Sequence, residues 1–284
     1  MNAPEERFVV VTGASSGIGR ACAMRLARSG IRVFAGVRRR ADGDSLRAEA
    51  PDGVEPLLLD VTDAGSLAAA REVVSDATHG RLLGLVNNAG IAVGGPVETV
   101  PLDDLRRQFE VNVIGQVAVT QAFLPMLRAA RGRVAFMSSI GGRVAVAFVA
   151  PYDASKHAIE AIGDALRQEL KPLGVHVALI EPGSVATPIW HKGLAEIERA
   201  RSSLTPETLR LYGHAVDRFE AIARHFAEHG ADVQPVAEAV EHALTARRPR
   251  TRYVVGNAAR VQAAVRRLAP DRVMDRVLAR ATGL

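Results

Sequence analysis

A chain of 284 residues with 48% hydrophobic side chains can bury a sizeable core and fits one large domain better than two small ones. Aromatics are only 4%, so the core must be built from Val, Leu, Ile and Ala, and the single cysteine, Cys22, excludes an internal disulfide framework and points to a reducing compartment, with the cytoplasm expected. The net charge of +5 is uneven: ten arginines and two aspartates after Ala246 make the tail +8 and leave −3 for the rest. With one tail aromatic, Tyr253, and no reading motif, nucleic-acid binding is not expected.

The start, Met1 to Glu6, is polar and acidic and lacks the cationic and apolar stretches of a signal peptide. Nowhere do about 18 uncharged apolar residues run together, so no membrane span is expected either. Arg7–Thr12 then reads as a strand buried on both faces, Arg20–Ser29 as a helix stopped by Gly30, and Arg32–Val37 as a second strand. Arg38–Gly53 is polar with little periodicity and reads as a loop. Leu57–Leu59, Leu83–Val86, Arg133–Ser138 and Val175–Ile180 continue the strands; Ser66–Thr78, Leu102–Leu127 and Asp153–Leu173 are the helices between them. Strand and helix in alternation imply βαβ units, a parallel sheet and right-handed crossovers.

After Thr187 the pattern changes. Pro206–His229 carries Leu209, Tyr212, Val216, Phe219, Ile222 and Phe226 three or four apart, an amphipathic helix. Val236–Ala246 reads as a helix, Arg252–Val255 as a short strand, and Val261–Leu268 and Arg272–Ala281 as two small amphipathic helices divided by Pro270. The expected fold is a doubly wound α/β sheet of about seven strands with helices on both faces, one domain over 1–284.

Three local signals carry chemistry. Gly13, Ser15, Ser16, Gly17, Ile18 and Gly19 lie between a strand and a helix, where glycines bring backbone N–H groups onto a pyrophosphate and the helix N-terminus favours an anion. At the end of the second strand, where an NAD site would place an acid for the ribose 2′-OH, stands Arg38, and no acid appears before Asp42. A guanidinium suits a 2′-phosphate, so NADP(H) is expected over NAD(H). Tyr152 and Lys156 are four apart and share a helix face, where an ammonium would lower the phenol's pKa and make it an acid/base. They follow Ser138-Ser139 by 13 residues, counting from Ser139.

Together with Asp60-Val61, Asn87-Asn88-Ala89-Gly90, Asn112 and Pro182-Gly183 with Thr187, these motifs resemble the short-chain dehydrogenase/reductase family over about residues 7–190. The resemblance implies that Asp60 and Val61 meet the adenine, and that Asn87, Ala89 and Gly90 shape the cofactor channel. It implies that Asn112 holds a relay water, Ser139 bonds the substrate oxygen, Tyr152 is the acid/base, and Lys156 tunes it and binds the ribose. Pro182, Gly183, Val185 and Thr187 would surround the nicotinamide. No metal site is implied. Steroid- and retinol-dehydrogenase-like texture suggests an apolar ketone, aldehyde or alcohol as substrate, with 189–230 as a lid lined by Ile189, Trp190, Leu194, Leu209, Leu211, Tyr212 and Phe219. The alternatives are a ketoacyl-thioester reductase and a cofactor-sensing scaffold without catalysis. The family resemblance also implies a homodimer or homotetramer, and the arginine-rich tail at 257–284 has the form of a peripheral membrane contact.

Overall fold

The computed structural model describes residues 6–50, 52–202 and 204–282. Seven parallel strands make one sheet in the order β3-β2-β1-β4-β5-β6-β7. They are β1 (Phe8–Val11), β2 (Arg32–Val37), β3 (Val54–Leu58), β4 (Gly84–Asn87), β5 (Arg133–Met137), β6 (His176–Pro182) and β7 (Arg252–Val255). The order reverses between β1 and β4, so the crevice for a ligand opens at the carboxyl ends of these two strands. Val9, Val10, Leu85, Val86 and Phe136 are wholly buried because helices cover both faces. One face carries α1 (Gly17–Arg28) and α9 (Gln234–Thr245); the other carries α3 (Ala64–Thr78), a long rod and α6 (Ala150–Leu170).

Two expectations need correction. Arg38–Gly53 is not all loop: α2 spans Arg40–Glu49. Its only buried side chain is Leu46, so no apolar period betrays it, and Gly43 admits Pro56 so closely that a Cβ there would lie 2.7 Å from the proline's Cβ. The helix expected over Leu102–Leu127 is a composite: α4 (Leu102–Phe109), a π-helical turn (Glu110–Ile114) and α5 (Gly115–Ala130). By length and composition alone this rod could cross a bilayer, although it is not a run of uncharged apolar residues. Its Val119, Phe123 and Leu127 are nevertheless fully buried beneath the sheet.

The chain leaves the sheet after β6 to form α7 (Pro188–Ser202) and α8 (Pro206–His229), returns through α9 and β7, and ends in α10 (Asn257–Leu268) and α11 (Asp271–Thr282). An ion network holds the edge strand. Glu181 of β6 is fully buried, with Arg143 at 2.6 Å and Arg252 of β7 at 3.2 Å. Arg252 also meets Glu160 at 3.0 Å and Asp164 at 2.6 Å, both on α6.

Candidate active site

The glycine loop is built by one threonine at the end of β1. Thr12 Oγ1 accepts from the N–H of Asn88 (2.9 Å) and Ala89 (3.0 Å) and donates to the Val86 carbonyl. Asn88 Nδ2 in turn donates to the carbonyls of Thr12 (2.9 Å) and Gly13 (3.1 Å), locking the β1 and β4 loops together. Gly13 and Gly17 have φ of 64° and 55°, the left-handed region open to glycine. A Cβ on Gly13 would stand 2.8 Å from the Ala89 Cα, and one on Gly19 would overlap the Gly13 carbonyl oxygen. The cradle therefore exists only with glycines. Ser15 and Ile18 are half-buried in it, and Ser16 takes the N-cap position of α1 without spending its hydroxyl on the helix. No acid occupies the first turn, so the field of the helix end is not cancelled.

Beyond β2, Arg39 neutralises Asp42 through two hydrogen bonds of 2.9 and 2.7 Å. Arg38 is exposed and pairs with no other described residue. The Asp60 carboxylate receives the Thr62 N–H (3.0 Å) and hydroxyl (2.7 Å). Burial raises its pKa, but those donors and the positive charge of Arg38 hold it below the usual range. Val61 beside it is buried.

Across the switch point, β5 ends and the chain turns at Ser139, whose Oγ accepts from Gly141 N at 3.1 Å. Tyr152 sits in the first turn of α6, half-buried. The buried Lys156 donates from Nζ to the Met137 carbonyl at 2.7 Å and lies 5.5 Å from the centre of the Tyr152 ring. The ammonium is thus over the ring face and tied to β5, which reverses one expectation. Burial pushes the Tyr152 phenol up to about 12, against an opposing hydrogen bond with the Ser139 hydroxyl. Burial also pushes Lys156 down to about 8, with nearby Glu160 working against the shift. Ser138 is buried, its Oγ without a hydrogen-bond partner among the described residues, while its backbone N–H donates to the Ile180 carbonyl at 2.8 Å.

A polar brace joins the long rod to α6. Asn112, in the π-helical turn, accepts Ile91 N at 2.8 Å and donates to the Ile91 carbonyl (3.0 Å) and Ser155 Oγ (3.1 Å). The extra residue of a π turn rotates such a side chain inward. Gln108 repeats the pattern one turn earlier, accepting Val93 N at 2.7 Å and donating to Ile91 O at 2.9 Å. Ser155 donates to the Tyr152 carbonyl at 2.6 Å, so the brace ends on the tyrosine's own backbone. Gly90 packs beside the Asn112 carboxamide; Asn87 donates to Thr120 Oγ1 at 2.8 Å, and Gln116 to the Ala89 carbonyl at 3.0 Å. Gln108, Gln116, Thr120 and Ser155 had no assigned role in the sequence, where a polar residue in a helix looks like a surface residue.

The last wall is the loop after β6. Gly183 N donates to Val255 O (3.0 Å), Trp190 Nε1 donates to the Val185 carbonyl (2.8 Å), and Ala186 N donates to Ala231 O (2.9 Å). Pro182 and Val185 are buried. Thr187 bends back over the glycine loop: a Cβ on Gly17 would touch it at 3.3 Å. Above, α7 and α8 pack through Ile197, Val216 and Ala223 with Trp190, Leu194, Tyr212 and Phe219 around them. A small cleft lies between Ile197, Leu204, Val216 and Phe219 on this hairpin and Pro96 and Phe148 on the sheet side. Phe148 is held at φ 69°, rare for an aromatic, and meets Tyr212 edge-on. Of the expected lid residues, Leu209 and Leu211 face solvent instead. Glycine loop, Ser139–Tyr152–Lys156 trio and Thr187 loop all gather at one end of the sheet.

Known proteins are similar to this chain in sequence and in fold. The family described as short chain dehydrogenase matches residues 7–197. The NADPH-dependent 3-dehydrocapnine reductase of Ornithobacterium rhinotracheale is 37% identical over 277 residues, covering 95% of each chain. Retinol dehydrogenase 5 of Mus musculus is 36% identical over 280 residues, covering 96% of this chain and 88% of its own. A solved short chain dehydrogenase/reductase from Burkholderia phymatum, in complex with NAD, superposes with a TM-score of 0.78 at 26% identity, covering 98% of this chain and 96% of the other.

Proposed function

Because the chain belongs to the short-chain dehydrogenase family, and so is an oxidoreductase working between alcohol and carbonyl with a nicotinamide cofactor, we propose that Tyr152 is its acid/base, that NADP(H) is preferred, and that the substrate is apolar. The observation that carries this reading is the gathering of Ser139, Tyr152 and Lys156 beside a cradle that no side chain larger than glycine permits. The bound nicotinamide supplies or takes up the hydride. The chain's own residues do the rest. Gly13 to Gly19 with the start of α1 hold the pyrophosphate, Asp60 and Val61 the adenine, and Asn87, Ala89 and Gly90 the channel between. Pro182, Gly183, Val185 and Thr187 close on the nicotinamide.

Ser139 orients the carbonyl oxygen, and Tyr152, whose burial keeps it protonated at neutral pH, delivers the proton to that oxygen. In the reverse direction the phenol must give up its proton first, which the hydrogen bond with the Ser139 hydroxyl eases, while Lys156 would bind the nicotinamide ribose. Asn112 positions rather than reacts: its side chain is consumed by Ile91 and Ser155, one hydrogen bond from the Tyr152 carbonyl.

Arg38 supports the cofactor preference, because its neighbour Arg39 is already committed to Asp42 and Arg38 is not. The apolar substrate is supported by the side chains that the α7–α8 hairpin turns toward Pro96 and Phe148, which are aliphatic and aromatic apart from Arg201. The test is calorimetric titration with NADPH and, separately, NADH. Tighter NADPH binding is expected, weakened roughly tenfold or more by Arg38→Ala while NADH is unaffected. Equal binding of both by the parent chain would remove the phosphate-reading role from Arg38.

A further inference from the structure

The last two helices are turned with their larger aliphatic residues outward. On α10 only Ala259 is buried, and Ala263 is half-buried. Val261, Val265 and Leu268 stand 62%, 40% and 83% exposed. At 3.6 residues per turn these three fall within about 60° of one another, on the side away from Ala259. On α11 Met274 faces inward, while Val273 and Val277 are exposed. Around these stripes stand six exposed arginines, 260, 266, 267, 272, 276 and 280, against Asp271 and Asp275, a net charge of +4. Arg266 is paired with Asp271 at 2.9 Å, and the other five make no ion pair with a described residue.

We propose that α10 and α11 form a lipid-binding face that lies flat on an anionic membrane surface, aliphatic stripes in the interface and arginines on the phosphates. The charge selects the occupant. In a two-fold contact with a second copy, the same +4 would oppose itself. A neutral apolar partner would leave the arginines unanswered. An anionic bilayer offers both complements on one plane, and interfacial amphipathic helices have this composition. The attachment gives the face a use. Ala259 packs against Gly183, where a glycine Cβ would stand 3.2 Å from the alanine's, and Met274 is buried where α11 leans on α8. Both walls of the site are therefore joined directly to the proposed lipid face. Lipid binding itself does not depend on the assignment of Tyr152.

The experiment is co-sedimentation of the full chain with vesicles of equal phosphatidylcholine and phosphatidylglycerol, and with pure phosphatidylcholine. Binding to the anionic vesicles and at least about tenfold less to the neutral ones is expected. Val265→Asp with Leu268→Asp should release the protein at an unchanged thermal midpoint. Should that pair lower the midpoint, Arg267→Gln with Arg272→Gln decides: each arginine near an anionic surface is worth about fivefold, so roughly 25-fold weaker binding is expected. No binding to anionic vesicles, or binding indifferent to the arginine pair, overturns the proposal. A chain that ignores vesicles but dimerises through Leu268 assigns the face to a second copy and overturns it equally.

Discussion

The central strands and the hairpin above them hold their residues in different ways. Val9, Val10, Leu85, Phe136 and Leu179 are completely enclosed and tied by continuous ladders, whereas the 39 residues of α7 and α8 bury only Ile197, Ala215, Val216 and Ala223 among the described side chains. The proposed chemical groups stand on the first kind of structure: Ser139 follows β5, Lys156 is anchored to a β5 carbonyl, and Tyr152 is braced through Ser155. The apolar cleft stands on the second. Local opening costs least where few apolar contacts are buried, so under the proposed function this division would let the hairpin open for substrate while the reacting geometry stays fixed.

If that division is right, the largest effect should come from the rigid side. Tyr152→Phe removes the proton donor and keeps the ring that Lys156 covers, so kcat should fall about a thousandfold with cofactor affinity and thermal midpoint unchanged. A loss expressed only in KM would place the chemistry elsewhere. Next, the same truncation should cost different amounts in the two regions. Phe123→Ala opens a void under the sheet and should cost about 3–5 kcal/mol in urea unfolding. Ile197→Ala, in a cluster free to collapse, should cost no more than about 2 kcal/mol and raise KM for an apolar ketone at nearly constant kcat. Equal costs would mean the lid is as tightly packed as the core.

The same division governs what could be read before the fold was known. Gly13, Gly17 and Gly19, Ser139, Tyr152 and Lys156 are legible because each motif sits at a strand-to-helix junction or at helical spacing, where residue type and backbone geometry are coupled. The doubly wound sheet follows from alternation of apolar runs and amphipathic segments, and Arg252–Val255 was found to the residue. What escaped was polar and internal. Gln108 and Ser155 look like solvent-facing helix positions, and only the π-helical turn directs Asn112 at Ile91. The α7 helix escaped although Trp190, Leu194 and Ile197 keep a spacing of four and three, because so short an apolar run, with Gly193 inside it, is a weaker signal than the six periodic positions of α8. The lysine's position over the tyrosine ring escaped because i, i+4 spacing sets which face a lysine is on, and not whether its ammonium reaches the oxygen or the ring.

A smaller effect probes a buried carboxylate in the rigid half. Asp153 is buried; its Oδ2 accepts Val146 N at 2.8 Å, tying the loop after Ser139 to α6. Burial raises its pKa from 3.8 to about 7, with the Val146 bond pulling the other way. The folded state then holds more protons than the unfolded chain between those values, so this group's contribution to stability falls as pH rises from about 4 to about 7 and stays low above that. This is opposite in sign to a salt-bridged carboxylate. Asp153→Asn keeps an acceptor for Val146 N and cannot ionise. Its unfolding free energy should lack that decline and exceed the parent's at pH 8 by about 1–2 kcal/mol, read from urea melts across the range. Parallel curves for parent and variant would mean that Asp153 titrates normally and that water reaches it, making the floor of the site as open as its lid.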